Sequence, residues 1–403
     1  MSAVTDEFIV AASAPRSAHP TGTLDDADAI LASHPEVAAA DIYTVAILGD
    51  HVGVQRLLGQ GHGRATAKGG PYGWDALTYL CFSRYLRLRA SDGFVRAAEA
   101  LLDAGTDPNT GFYEPEHQPE PTFESALYGA AGVAHHGGLT RLLLARGADP
   151  NLGGEVGYHA PEGFDNDAMQ AIVESGRLAP GGLTTMLHRK LDWIDLDGVR
   201  WLLAHGADPN DLSAWGDRAL HHSLARGNAL PLLETLVHYG ADPSLTAPNH
   251  AGRTAAAVAA RMGRADALDL FTREGSSALD LRGDDAFFAA LARADRTGLD
   301  APTEVLERLI SEYPETVATL AGAGNTPAVS LALDIGFPLS PDALAVAVWR
   351  ERTDTVRLLL ARGAPVTDHE LSLAERALTE GSEWTPHHSR EILEVLQGSR
   401  RSS

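Results

Sequence analysis

The fold of this chain is decided by the stretch Leu143-Leu144-Ala145-Arg146-Gly147-Ala148-Asp149-Pro150-Asn151. Variants of this stretch occupy residues 101–109, 202–210, 236–243 and 359–365. The six marker glycines from Gly105 to Gly275 are separated by 42, 29, 30, 34 and 35 residues. A recurrent period of about 33 residues predicts a solenoid in which each unit packs on its neighbours.

Each part of the repeated stretch has a physical role. The leucine pair ends a helix whose apolar stripe packs on neighbouring helices, and the glycine after it adopts a left-handed backbone without steric strain. Asp-Pro-Asn then turns the chain, because proline cannot continue a helix. A shorter, alanine-rich helix lies upstream, as in residues 253–260, and its small side chains allow close stacking. One helix pair cannot bury its apolar face alone, so a stack of about ten is expected.

Together these features resemble the ankyrin repeat. In that repeat a β-turn finger precedes an inner helix that opens with Thr-Pro-Leu-His, and an outer helix ends in Leu-Leu-x-x-Gly-Ala-Asp. The inner-helix opening is present here as Thr185-Met186-Leu187-His188 and as Arg218-Ala219-Leu220-His221. Residues 69–80 and 158–166 are also similar to a bacterial ankyrin-repeat subfamily. The resemblance covers roughly residues 41–397 and implies an all-α ankyrin-repeat solenoid of about ten helix pairs with short β-turn fingers.

The regularity of the repeats divides the chain into segments. Residues 1–23 are expected to form an N-terminal extension, and residues 24–276 the main ankyrin-repeat stack, which opens with a capping helix at 24–40. Residues 277–398 are expected to form degenerate ankyrin-like repeats and a C-terminal cap, because residues 284–340 keep helix pairs but lose Gly-Ala-Asp. Residues 399–403 are expected to be a frayed tail.

The charge and composition of the chain exclude several classes of partner. Among 403 residues, 54 are acidic and 32 basic, giving a formal net charge of −22. Nucleic acid and anionic membrane surfaces are therefore not expected partners, since both are bound through Lys and Arg. The single cysteine, Cys81, cannot form an intramolecular disulfide. The sequence shows no signal peptide and no apolar run of about 18 residues, so a cytoplasmic protein is expected.

Motifs that specify catalysis or metal binding are missing from the sequence. It contains no Gly-x-Ser-x-Gly, Gly-x-x-x-x-Gly-Lys-Ser/Thr, Gly-x-Gly-x-x-Gly or His-Glu-x-x-His. The histidine pairs at 135–136, 221–222 and 387–388 are adjacent in sequence, so on a helix their rings point to different sides and do not converge on a metal. Asp195 or Asp197 is better explained as the cap of a following helix than as a calcium ligand. We expect neither a cofactor nor a bound metal.

Recognition is the function that the resemblance implies, because finger tips and inner-helix ends line one concave face in ankyrin stacks. The side chains at such positions that are expected to bind a protein or peptide are Tyr72, Trp74, Phe82, Phe112, Tyr113, Tyr158, Phe164, Asp192, Trp193, Trp215, Asp217 and Arg226. Exposed aromatic residues often anchor interfaces, and the surplus of carboxylates favours a basic partner. The alternative is that the long fingers fold over and bury these rings against one another.

The fourth repeat is irregular. Its marker glycines are only 29 residues apart, and Pro161 and Gly163 occur where an alanine-rich helix should be. The inner helix is therefore expected to be missing, which would leave a notch in the concave wall. Lys190 lies beside this notch, at a position that ankyrin repeats fill with a buried alanine.

The notch motivates an alternative function, an enzyme that acts on a small molecule or peptide. His159, Glu162, Asp165 and Lys190 would then serve as acid, base or nucleophile, with Glu162 or Asp165 as the carboxylate partner of Lys190. A structural ion pair or an exposed Lys190 would explain the same residues without catalysis. A purely structural role in an assembly is the third possibility, and it is disfavoured because charged residues such as Arg200 and Glu234 lie on the expected convex face. The identity of the partner and the oligomeric state stay open.

Overall fold

The chain consists of short helices that pack as antiparallel pairs. A computed structural model describes residues 3–15, 23–89, 91–116, 120–273, 279–299, 301–379 and 389–402. Its helices group into two compact units, Met1–Ala207 and Asp208–Ser403. The all-α architecture with helix pairs and short β-turn fingers is thereby confirmed. The boundary expected at residue 276 separates regular from degenerate repeats. It differs from the boundary between the two compact units and falls inside the second unit.

The first unit opens with a capping layer and continues as successive helix pairs. Its helices are α1 Ala3–Ala12, α2 Asp25–Ser33, α3 Ile42–Ile47, α4 His51–Leu58, α5 Ala76–Cys81, α6 Arg84–Leu88, α7 Asp92–Asp103, α8 Ala126–Tyr128, α9 Gly137–Ala145, α10 Glu155–His159, α11 Asp167–Glu174, α12 Gly182–Asp192 and α13 Leu196–Ala204. A π-helical turn, Gly129–Val133, extends α8. An antiparallel hairpin of β1 (Gly111–Glu114) and β2 (Thr122–Ser125) forms a long finger before α8.

The second unit repeats the same arrangement. Its helices are α14 Ala219–Arg226, α15 Leu230–His238, α16 Ala255–Arg261, α17 Ala265–Arg273, α18 Asp284–Ala292, α19 Thr303–Glu312, α20 Thr316–Ala323, α21 Thr326–Asp334, α22 Ala343–Trp349, α23 Thr353–Ala361, α24 Asp368–Thr379 and α25 Ser389–Ser402. Two short strands, β3 (Thr246–Ala247) and β4 (Arg253–Thr254), form a second finger. The marker glycine Gly275 lies outside the described residues.

Small side chains on the inner helices and leucine stripes on the outer helices form the core. Residues 255–260 of α16, all Ala or Val, are buried, as the alanine-rich pattern predicts. In the first unit α3 packs on α5, α4 on α7, and α9 on α11. Each fully buried leucine of the outer helices adds roughly 1.5–3 kcal/mol to the free energy of unfolding, so stacking stabilises helices too short to persist alone.

The asparagine that ends the repeated stretch joins one repeat to the next. The Asn151 side-chain oxygen accepts a hydrogen bond from the Ala179 N–H at 2.7 Å, and its amide nitrogen donates to the Arg177 carbonyl at 2.8 Å. Asn109 accepts from the Asp149 N–H at 2.7 Å in the same way. The preceding aspartate holds the turn, since Asp149 Oδ1 accepts from the Asn151 N–H at 2.9 Å.

Both ends of the chain differ from the sequence expectation. Residues 3–12 of the expected N-terminal extension form α1, which fully buries Phe8 and Ile9 and packs on α2 and α3. The capping helix expected within 24–40 is present as α2. The expected frayed tail is wrong for residues 399–402, because α25 continues to Ser402.

Replacement of Asn151 tests the connection between repeats. Asn151→Ala removes one donor and one acceptor, and we expect the free energy of unfolding to fall by about 1–2 kcal/mol. Asn151→Asp keeps the acceptor for the Ala179 N–H but places a carboxylate oxygen against the Arg177 carbonyl and Asp149 Oδ1, so a loss at least as large is expected. Urea unfolding followed by circular dichroism measures both. Equal stability of Asn151→Ala and the parent chain would contradict the role of this side chain.

The glycine of the repeated stretch provides a backbone test. Gly147 has φ +98°, and nothing lies within 4 Å of the Cβ that an alanine would add. Gly147→Ala should therefore lower the free energy of unfolding by about 1–2 kcal/mol through backbone strain alone. The matched control is Gly138→Ala near the start of α9, which should leave stability unchanged or raise it by up to about 1 kcal/mol. Equal losses in the two variants would contradict this explanation.

Candidate functional site

The first candidate surface in the first unit is built by the finger before α5 and the β1–β2 finger. Trp74 lies between two rings, with its centroid 4.7 Å from Tyr72 and 4.2 Å from Phe112, both stacked. Trp74 is only 5% exposed, and Phe82 beneath it is fully buried. The expectation that Trp74 and Phe82 face solvent is wrong, because the finger folds back and the next finger covers the indole.

Local hydrogen bonds hold this finger in its folded-back shape. The Tyr79 hydroxyl donates to the Gly69 carbonyl at 2.9 Å and accepts from the Tyr72 N–H at 3.1 Å. Asp75 caps α5 by accepting from the Thr78 N–H at 2.9 Å. Burial raises the pKa of Tyr79 to about 12, so its hydroxyl stays protonated and able to donate at neutral pH.

A pocket of about 600 Å³ opens beside the stacked rings. Its walls are aromatic and charged: Tyr72, Trp74, Phe112, Tyr113 and Phe123 supply rings, and Lys68, Glu114 and Glu116 supply charges. Tyr113 is 71% exposed and meets Phe123 edge-to-face across the hairpin, at 5.1 Å between centroids. Phe112 and Tyr113 were predicted from the sequence, whereas Phe123 was not, because only the strand register places it opposite Tyr113.

The fourth repeat keeps a shortened inner helix. The expectation that this helix is missing is wrong, because α10 forms over Glu155–His159 and buries Val156. It starts after Gly154, whose backbone is left-handed, and Ala160 and Pro161 follow its last residue. Proline lacks an N–H, so it restricts the helix to little more than one turn.

Arg189 contacts several of the charged groups around α10. Its two terminal nitrogens contact Glu162 Oε1 and Asp192 Oδ2, each at 2.6 Å. The guanidinium also lies over the Tyr158 ring, 4.1 Å from its centroid. His159 contacts Glu162 at 3.0 Å. Arg189, which links these residues, is the one among them that was not predicted from the sequence.

The histidine of this network is held in its charged form. Burial by itself would lower the pKa of His159, but Glu155 at 3.1 Å and Glu162 raise it to about 9. Burial would raise the pKa of Glu162, but His159 and Arg189 hold it below its ordinary value. The charged His159 ring and the Arg189 guanidinium therefore stabilise the Glu162 carboxylate at neutral pH, and the carboxylate stabilises both cations in turn.

Lys190 is fully buried and paired. Its ammonium donates to Asp195 Oδ2 at 2.9 Å and to the Gly163 carbonyl at 2.7 Å. The expectation that Glu162 or Asp165 is its carboxylate partner is wrong. Burial lowers the pKa of Lys190, and Asp195 opposes that shift. Asp195 also caps α13 through the Gly198 N–H at 3.0 Å, which confirms its predicted capping role.

The four residues of the enzyme hypothesis are thus divided between different contacts. His159 and Glu162 belong to the Arg189 network, Lys190 to the Asp195 pair, and Asp165 is exposed and accepts from the Asp167 N–H at 3.1 Å. These ion pairs lower the reactivity of each group, since a nucleophile or base needs a free electron pair. Their arrangement favours a structural role.

A second exposed aromatic cluster lies at the end of α12. Phe164 is 65% exposed and meets the half-buried Trp193 edge-to-face at 6.5 Å. The next residue, Ile194, is 37% exposed and has φ +53°, a strained conformation for a β-branched residue. Gly49 occupies the corresponding turn between α3 and α4, with φ +64°.

The second unit contributes three of the predicted site residues. Trp215 is 47% exposed, as expected, and the Arg226 side chain is exposed. Asp217, expected on the recognition surface, is buried: its carboxylate contacts His250 at 2.9 Å and accepts from the Asn249 amide at 3.2 Å. This aspartate therefore ties two fingers together rather than facing a partner.

Within the described ranges, no group of three or more His, Cys, Asp or Glu side chains is arranged to hold a metal ion. His387 and His388 lie outside the described residues. No helix in the described part of the chain has the length and apolar character needed to cross a membrane.

The paired helices and turn fingers define a helical-repeat protein. Residues 187–229, which span most of α12, all of α13 and most of α14, match the family model described as ankyrin repeats (many copies). This segment of the chain is therefore similar to ankyrin repeats.

Two solved ankyrin repeat domains are similar to this chain at low sequence identity. The human ASB11 ankyrin repeat domain is 22% identical, with a TM-score of 0.44 over 59% of this chain and 98% of that one. The ankyrin repeat domain of Bcl-3, described as a unique member of the IkappaB protein family, is 20% identical, with a TM-score of 0.23 over 53% of this chain and 97% of that one. No curated protein matches the chain.

The His159 ion pairs predict a pH dependence of stability. The folded-state pKa of about 9 exceeds the ordinary value of 6.5, so the contribution is fully present below pH 6.5 and is lost as pH rises through 9. We expect the difference in free energy of unfolding between the parent chain and His159→Gln to fall by on the order of 1–3 kcal/mol across that window. Urea unfolding at a series of pH values measures it. A difference that is independent of pH would contradict the ion pairs.

Proposed function

We propose that this chain is a non-enzymatic recognition scaffold that binds a basic protein or peptide. The proposed surface is the one formed by fingers and inner-helix ends, which the sequence predicts to be concave. Ankyrin repeat domains are generally protein–protein interaction scaffolds. The observation that carries the proposal is the aromatic pocket of the β1–β2 finger, where Tyr113 is 71% exposed beside the carboxylates of Glu114 and Glu116.

The chemistry of this surface supports a protein partner over a small polar ligand. Aromatic side chains provide a large contact area at a low entropy loss, since each has only two rotatable bonds. Phe164, Trp193 and Ile194 provide a second exposed aromatic and aliphatic group in the same unit. A net charge of −22 favours the approach of a basic partner and predicts association that weakens with salt.

Tyr113 is a sharper probe of this surface than Trp74. Trp74→Ala would remove the centre of a stacked core, so lost binding could reflect a disordered finger. Tyr113→Ala truncates an exposed ring on a hairpin whose backbone pairing with Phe123 stays intact. We expect Tyr113→Ala to weaken binding by at least about tenfold, as for an interface anchor.

The test uses the full-length chain on an array of synthetic peptides whose net charge varies from acidic to basic. Basic peptides should be retained at low salt and released at high salt, and Tyr113→Ala should reduce their retention. The matched control is Val52→Ala on α4, which truncates a side chain that is 61% exposed and should leave binding unchanged. Retention of acidic peptides, or equal effects of the two variants, would overturn the proposal.

A further inference from the structure

The pocket of the β1–β2 finger has the chemical features that suit a planar cation. Five aromatic rings line it, and three of them, Tyr72, Trp74 and Phe112, are stacked with interplanar angles of 23° and 19°. Ring faces attract cations through their quadrupole, and a guanidinium combines that attraction with planar stacking. An ammonium ion is more strongly hydrated and cannot stack.

Two carboxylates stand beside these rings. Glu114 is only 8% exposed, and its Oε1 accepts a hydrogen bond from the Glu116 N–H at 3.0 Å, which orients the carboxylate at the end of β1. Glu116 is exposed and lines the same pocket. A guanidinium presents paired N–H groups that fit a carboxylate, so rings and carboxylates together form a complementary site.

The geometry points to an arginine side chain, presented by an extended peptide, as the ligand of this pocket. The inference rests on the proposed function and specifies its partner. The guanidinium would stack on a ring face of Tyr113, which is 71% exposed, and pair with Glu114 or Glu116. The peptide backbone would lie along the hairpin beside Tyr113.

The net charge of the residues that line the pocket fits one guanidinium. Lys68 is exposed and also lines the pocket, so its ammonium and the two carboxylates leave one excess negative charge. One arginine neutralises that excess. We therefore expect a single arginine to occupy this pocket, while the net charge of −22 attracts further basic residues of the partner to the chain as a whole.

The experiment titrates the full-length chain, labelled with 5-fluorotryptophan, with three capped glycine–alanine pentapeptides that carry a central arginine, lysine or citrulline. The fluorine signal of Trp74 is assigned by its loss in Trp74→Phe, and the other tryptophan signals serve as internal references. The arginine peptide should shift the Trp74 signal, with an affinity at least about fivefold above that of the lysine peptide. Citrulline keeps the shape but loses the charge, so it should bind weakest.

Two variants separate the pocket from the general negative charge of the chain. Glu116→Gln should weaken arginine-peptide binding at least about fivefold. Glu304→Gln on α19 removes the same charge from an exposed position in the second unit and should have no effect. Thermal melting followed by circular dichroism verifies that both variants are folded.

The possible failures are distinguishable. Equal affinities for the arginine and lysine peptides, equal effects of the two glutamine variants, or no movement of the Trp74 signal would overturn the arginine site. If basic peptides are nevertheless retained on the array in a manner that depends on Tyr113, the scaffold function stands without this ligand. Loss of both results would overturn both proposals.

Discussion

The connection between repeats through one asparagine is the constraint on which the rest of the structure depends. Each helix pair is too short to be stable alone, so its register with the next pair must be specified. Asn151 does this by pairing its side-chain amide with the backbone of the following turn at Arg177 and Ala179. Gly147, with φ +98°, allows the outer helix to end where that asparagine can reach. The fingers and inner-helix ends that carry the candidate surface are positioned by this repeated joint.

Irregular repeats depart from the consensus in two physically different ways. The β1–β2 finger extends the turn into a hairpin, and the added aromatic residues cover Trp74 while leaving Tyr113 exposed. The fourth repeat instead loses helix length, and the space around α10 is occupied by ion pairs centred on Arg189 and Lys190. The first departure creates an accessible surface. The departure in the fourth repeat replaces apolar packing with charged contacts. This explains why the sequence of that repeat suggested a catalytic site.

A residue that breaks a local rule can therefore have a structural cause. Lys190 occupies a position expected for alanine, yet its ammonium finds both Asp195 and the Gly163 carbonyl. Removing one member of a buried pair leaves an uncompensated charge, so such pairs persist without any role in catalysis. Ile194 breaks a different rule, because its strained backbone places an apolar side chain at the surface beside Trp193.

The sequence by itself determined the repeat length, the helix pairs and their turn glycines, because these depend on local backbone preferences and on the spacing of apolar residues. It also placed Asp195 as a helix cap, a contact between near neighbours in the chain. Only the tertiary structure decided which aromatic residues are accessible. Trp74 and Tyr113 both lie on fingers, and their exposure differs because Phe112 of the following finger covers one of them and leaves the other open. The contact between Trp74 and Phe112 joins residues almost forty positions apart, so it cannot be predicted from a local sequence pattern.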